Sequence, residues 1–91
     1  MIKVLMILNQ VQAGIGGEEQ ANIGPGGKTS AIGPGVMMEP FLKEVNAQIT
    51  ATLYCGDKFF EDNSEEVSTK MVAMINKLQP DVVICLSLIH I

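Results

Sequence analysis

The chain has 91 residues, room for one small domain, and its 47% hydrophobic and 18% charged content excludes a disordered polypeptide. A net charge of −4, with six lysines and no arginine, argues against nucleic-acid binding and removes bidentate recognition of phosphate. No apolar run approaches the roughly 20 residues of a membrane helix, and Met1–Leu8, which carries Lys3, is too short for a secretory leader.

In chain order, Ile2–Leu8 is a nearly continuous apolar run of strand length, the pattern of a strand buried on both faces. Residues 9–35 hold eight of the nine glycines with Pro25 and Pro34, and predict a loop long enough to be functional. Over Gly35–Asn46, Met37, Met38, Phe41, Leu42 and Val45 recur at helical spacing. Pro40 either opens that helix or kinks it.

Ile49–Tyr54 is rich in β-branched residues and predicts a second strand. Cys55-Gly56-Asp57 ends it and opens a loop to about Asn63. Asn63 and Glu66 have capping-box spacing, with Ser64 as a competing cap. Val67, Met71, Met74, Ile75 and Leu78 mark one face of a second helix, which Pro80 stops. A third strand begins at Asp81-Val82-Val83-Ile84-Cys85.

This alternation predicts an α/β fold: a doubly wound parallel sheet, flavodoxin/Rossmann-like, with strand order 2-1-3. Ligands in such sheets lie beyond the carboxyl ends of the strands, here expected between the first and third. The Gly14–Glu19 loop borders that point.

The glycines after the first strand invite a nucleotide reading, which fails on two counts. Gly14-Ile15-Gly16-Gly17-Glu18-Glu19 puts Glu19 where the dinucleotide fingerprint needs its third glycine. Gly27-Lys28-Thr29 lacks the phosphate-loop glycine five residues earlier, where Asn22 stands. Glu18 and Glu19 suit a cationic partner, an ammonium above all. They suit equally the first turn of a short helix, where the macrodipole favours acids.

The other candidates divide in the same way. Gly14, Gly16 and Gly17 either line a substrate crevice with bare backbone or serve a tight turn. Cys55 has no histidine to activate it, so a small buried residue is expected there. Cys85 is expected in the core or at a junction. Asp57 either meets a ligand or caps its own loop. Glu61, Asp62, Glu65 and Glu66 read as a solvated helix start. Two distant cysteines and one histidine do not assemble a zinc site. No catalytic residue is assigned, and a reduced, cytoplasmic protein is expected.

Three blocks carry a resemblance: A-G-I-G-G-E-E (13–19), A-I-G-P-G (31–35) and Y-C-G-D-K-F-F-E-D-N (54–63). In sequence and spacing they resemble the amino-terminal part of the component B selenoproteins of the glycine/sarcosine/betaine reductases. The resemblance runs from about Ile2 to about Ile84. It implies a cytoplasmic, multi-subunit oxidoreductase of anaerobic amino-acid fermentation that cleaves the carbon–nitrogen bond of a small amine or amino acid. It further implies a selenocysteine downstream of this segment, a pyruvoyl group on a partner subunit of component B, and transfer through selenoprotein A and component C to acetyl phosphate. D-proline reductase is the nearest alternative, and a flavodoxin-like binding module without chemistry is another. On this reading Gly14, Gly16, Gly17, Glu18, Glu19, Cys55, Gly56 and Asp57 line the substrate site, and the segment alone is inactive, with no cofactor of its own.

The last residues, L-S-L-I-H-I (86–91), resemble a translated sequencing-library adapter. Residues 1–85 are therefore taken as the amino-terminal α/β part of a longer subunit, and His90 is left out of any site.

Overall fold

The computed structural model describes residues 1–85; the adapter-like tail with His90 lies outside the described residues. Strand β1 (Ile2–Asn9) is the centre of the sheet, and Val4–Leu8 are all buried, as a two-faced apolar run requires. Strand β3 (Ala47–Cys55) pairs parallel on one side of it and β4 (Val82–Cys85) parallel on the other. A short strand, β2 (Gly26–Lys28), lies antiparallel on the outer edge of β3, so the order is β2-β3-β1-β4.

The sheet is thus mixed and four-stranded, where an all-parallel, three-stranded one was expected. The addition comes from the glycine-rich loop, which doubles back on β3. Gly26 lies against the ring of Tyr54, where a Cβ would stand 2.6 Å from ring and hydroxyl atoms. The buried Thr52 hydroxyl donates to the Ser30 carbonyl at 2.8 Å and holds the returning chain. Glycines carry no strand propensity, so β2 left no pattern to read.

Helix α1 (Pro34–Glu44) covers the face formed by Val4, Met6, Leu8, Ala47 and Ile49, through Met38 and Leu42. Helices α2 (Asp57–Asp62) and α3 (Ser64–Leu78) cover the opposite face, formed by Leu5, Ile7, Ala51, Leu53 and Cys55. Ala47 and Ile49 share parity with Ala51 and Leu53, yet the two pairs face opposite ways. The cause is a β-bulge: Val4 pairs with Ile49 but Leu5 pairs with Ala51, leaving Thr50 without a partner position. One extra residue inverts the alternation beyond it, and so β3 feeds both cores.

Several elements depart from what the sequence predicts. Helix α1 starts at Pro34, at a position where the missing N–H costs nothing, and carries Pro40 inside it. Of its apolar stripe, Met37, Phe41 and Val45 are exposed, and only Met38 and Leu42 reach the sheet. The stretch after Cys55 is helix α2, where a loop was expected; Phe59 and Phe60 fold it onto the core. The capping box at Asn63 does not form, because the Asn63 amide donates back to the Phe59 carbonyl at 3.2 Å. Cys85 is exposed.

Helix α3 buries Val67 and Met71 and half-buries Met74 and Ile75. It ends at Gln79, in the left-handed conformation with φ 49°, whose N–H closes the last turn on Ile75. Asp81 then sets β4 beside β1. Its carboxylate accepts the Lys3 N–H, and its own N–H donates to the Lys3 carbonyl, both at 2.8 Å. Among the described residues, no helix is long and apolar enough to cross a membrane.

Candidate functional site

The chain leaves β1 through a single capped turn. Asn9 and Gln12 form a reciprocal pair: the Gln12 N–H donates to Asn9 Oδ1 at 2.8 Å, and the Asn9 N–H donates to Gln12 Oε1 at 3.0 Å. The Ala13 N–H closes the turn on the Asn9 carbonyl at 3.0 Å. This is capping-box geometry, built on Asn9-x-x-Gln12 rather than on Asn63. Gly14, with φ +73°, sits at the exposed tip of the turn that follows.

Glu18–Gln20 form a short 3₁₀ turn, and the two glutamates behave differently in it. Glu19 bends back so that its Oε1 accepts the Gly17 N–H at 2.8 Å. That hydrogen bond, helped by the Glu19 N–H, holds its carboxyl below the usual value, although the side chain is solvent-exposed. Gly17 therefore spends its N–H inside the loop. Glu18 makes no such bond and lines an open crevice.

Next, Ala21–Ile23 is stitched to the end of β3. The Gly56 N–H donates to the Ile23 carbonyl at 3.0 Å, and the Phe59 N–H to the Ala21 carbonyl at 2.9 Å. A Cβ on Gly56 would overlap the carbonyl of Ala21, so only glycine permits this approach. Cys55 lies fully buried beneath, its thiol 3.8 Å from the Ile23 carbonyl. Burial pushes that thiol up, which disfavours the thiolate a nucleophile needs.

These contacts border an open crevice of about 1130 Å³ at the carboxyl ends of β1 and β3. Asn9, Gln10, Gln12 and Glu18 line one side, and Asp57, Lys58, Glu61 and Asp62 line the other. The loop folds towards β3 and α2, whereas it was expected to border the gap between the first and last strands. The backbone bonds from Ala21 and Ile23 to Phe59 and Gly56 are what draw it there.

Of the eight residues picked out in the sequence, Glu18 and Asp57 line the crevice. Glu19 and Gly17 bond each other beside it, Gly14 and Gly16 shape the turn, and Gly56 and Cys55 support the loop from below. The residue that sequence reasoning missed is Gln10. It is 1% exposed, its carboxamide oxygen accepts the Asp57 N–H at 2.9 Å, and its amide nitrogen donates to the Gly17 carbonyl at 3.4 Å. The available signal was position: Gln10 directly follows β1, where α/β sheets place ligands.

The lining carries four carboxylates against one ammonium, Lys58, and so favours a small cation. Among the described residues, no group of three His, Cys, Asp or Glu is arranged to hold a metal ion.

Residues 1–86 match the profile of the family described as glycine/sarcosine/betaine reductase selenoprotein B. The chain is 38% identical over 80 residues to the sarcosine reductase complex component B subunit beta of Peptoclostridium acidaminophilum, covering 88% of this chain and 18% of that protein. It is 36% identical over 83 residues to the glycine reductase complex component B subunit gamma of Symbiobacterium thermophilum, covering 91% and 19%. It is 27% identical over 82 residues to the betaine reductase complex component B subunit beta of P. acidaminophilum, covering 90% and 18%. The chain thus spans about a fifth of the length of these curated relatives. No solved structure matches.

Proposed function

Because the chain belongs to the glycine/sarcosine/betaine reductase selenoprotein B family, we propose that it forms the amino-terminal α/β part of such a subunit and supplies one wall of its amine-binding crevice. The doubly wound, flavodoxin/Rossmann-like architecture belongs to this reading: helices on both faces of a sheet whose long strands are parallel. The observation that carries it is the match over residues 1–86, which contains every residue of the crevice.

The complete subunit, on this reading, acts in a cytoplasmic complex that reductively removes the amine from glycine, sarcosine or betaine and leads to acetyl phosphate. Its partners are the pyruvoyl-bearing subunit of component B, selenoprotein A and component C. The selenocysteine comes from outside this segment. Cys55 does not fit that position, being fully buried with a thiol that resists ionisation. What these residues do is bind: Glu18 and Asp57 attract the ammonium end of the substrate. An ammonium about 4 Å from one carboxylate gains roughly 1 kcal/mol in bulk water and about 4 kcal/mol near a protein surface.

The test is kinetic. In component B assembled with a full-length subunit bearing this segment, acetyl phosphate forms from at least one of the three amines. The pair Glu18→Gln and Asp57→Asn together raises KM for that amine about tenfold, the equivalent of roughly 1.4 kcal/mol of lost attraction. An unchanged KM moves the amine site out of this crevice.

A further inference from the structure

We propose that Gln10 is the positioning residue of the crevice, tying its two walls together through one buried carboxamide; this rests on the amine-crevice reading above. The two walls come from distant parts of the chain. One is the turn after β1 that ends in the 3₁₀ segment, and the other is the start of α2, 47 residues from Gln10. Backbone bonds from Gly56 and Phe59 to Ile23 and Ala21 join them beyond the 3₁₀ turn. Gln10 spans their separation with both ends of its side chain.

The orientation of the carboxamide is settled by its partners. The Asp57 backbone offers only an N–H and the Gly17 backbone atom involved is a carbonyl, so oxygen must face Asp57 and nitrogen must face Gly17. Its own backbone carbonyl accepts the N–H groups of Ile15, at 3.0 Å, and Gly16, at 3.4 Å. One residue therefore anchors the glycine turn at three points and α2 at a fourth. The chemistry is particular to a carboxamide of this length, because the site requires a donor and an acceptor on one planar group. Glutamate keeps the acceptor and loses the donor when ionised, and methionine has neither in strength.

Asp57 and Glu18 hold their shared outlook on the crevice through this tie, together with the backbone bonds from Gly56 and Phe59 to Ile23 and Ala21. Asp57 follows directly on Gly56, and its N–H has Gln10 as partner. Glu18 follows directly on Gly17, whose carbonyl is the other partner. Loss of the tie loosens the spacing of the two carboxylates, which weakens binding of a small cation more than it slows chemistry on a bound one.

The experiment uses complete component B carrying the full-length subunit, with the variants Gln10→Met, Gln10→Glu and Asp57→Asn. Glycine, sarcosine and betaine serve as probes. KM and kcat are read separately, and hydrogen exchange is followed in the peptides covering residues 14–17 and 56–60. Gln10→Met is expected to raise KM about tenfold, with kcat falling by less, and to speed exchange in both peptides at once. Gln10→Glu, which keeps the Asp57 bond, is expected to raise KM by about threefold. If both Gln10 variants keep the parent KM while Asp57→Asn raises it, the crevice stands and the role of Gln10 falls. If Asp57→Asn also leaves KM unmoved, the crevice reading falls and takes the proposal with it. Should Gln10→Met fail to assemble, Gln10→Glu decides alone: parent KM with parent exchange overturns the role.

Discussion

Gly56 and Gly14 look alike in the sequence, two loop glycines in candidate site segments, yet they do different things. Gly14 has φ +73° and open space where a Cβ would stand, so its constraint is conformational alone. Gly56 has ordinary extended backbone, with φ −62° and ψ 136°, and its constraint is contact with the Ala21 carbonyl. Gly56→Ala therefore has to push the Ala21–Ile23 strip off the end of β3. It is expected to lower stability by about 3 kcal/mol, more than Gly14→Ala, which is expected to cost about 1 kcal/mol. Urea denaturation of the two variants checks the order, and equal or reversed costs count against the stitched loop. The pair of glutamates shows the same divergence. Their identity was legible in G-I-G-G-E-E, but the division of labour was not, because it depends on which carboxylate folds back onto Gly17.

At the scale of elements, the capping box gives the clearest case of right chemistry read at the wrong place. Asn63 and Glu66 had the spacing; Asn9 and Gln12 have both the spacing and the two bonds. The Asn63 side chain is claimed instead by the last turn of α2, an element the sequence did not announce. Asn9→Ala is expected to cost about 0.5–2 kcal/mol, the usual worth of a cap, and Asn63→Ala less, since it removes one bond to a carbonyl. Thermal or urea unfolding of both variants measures the difference, and an Asn63→Ala loss larger than that of Asn9→Ala would reject this assignment. The bulge at Thr50 belongs to this scale too. Alternation in Ile49–Tyr54 predicts a strand correctly, but only the paired strand reveals that one residue is skipped and the faces exchange.

For the whole molecule, both faces of β1 are covered, but the cover is incomplete. On α1, Met37 is 78% exposed and Phe41 72%, with Val36 and Val45 exposed beside them. An apolar groove of about 680 Å³ runs from this helix to Met1 and Ile49, away from the crevice. On β4, Val82 and Val83 are also exposed. Apolar surface gathered in this way promotes association. The chain expressed by itself is expected to self-associate at micromolar concentration, and Phe41→Lys with Met37→Lys to shift it towards monomer. Sedimentation velocity reads this directly, and a monomer in the parent chain would show that the exposed stripe is tolerated.

The apolar run of Ile2–Leu8, the β-branched run of Ile49–Tyr54 and the 3.6-residue stripe of the second helix marked these elements, and their alternation determined the parallel part of the fold. Each reports burial through local spacing, and burial is what the sheet and α3 supply. The three motif blocks likewise carried the family, since they are strings of residues. Tertiary structure alone decided that a glycine strand would edge the sheet and that α1 would turn Phe41 outward. It alone placed the crevice against α2 and made Gln10 its tie. Those outcomes depend on contacts between segments tens of residues apart. A buried carboxamide with one partner 47 positions away leaves no mark in the spacing around it.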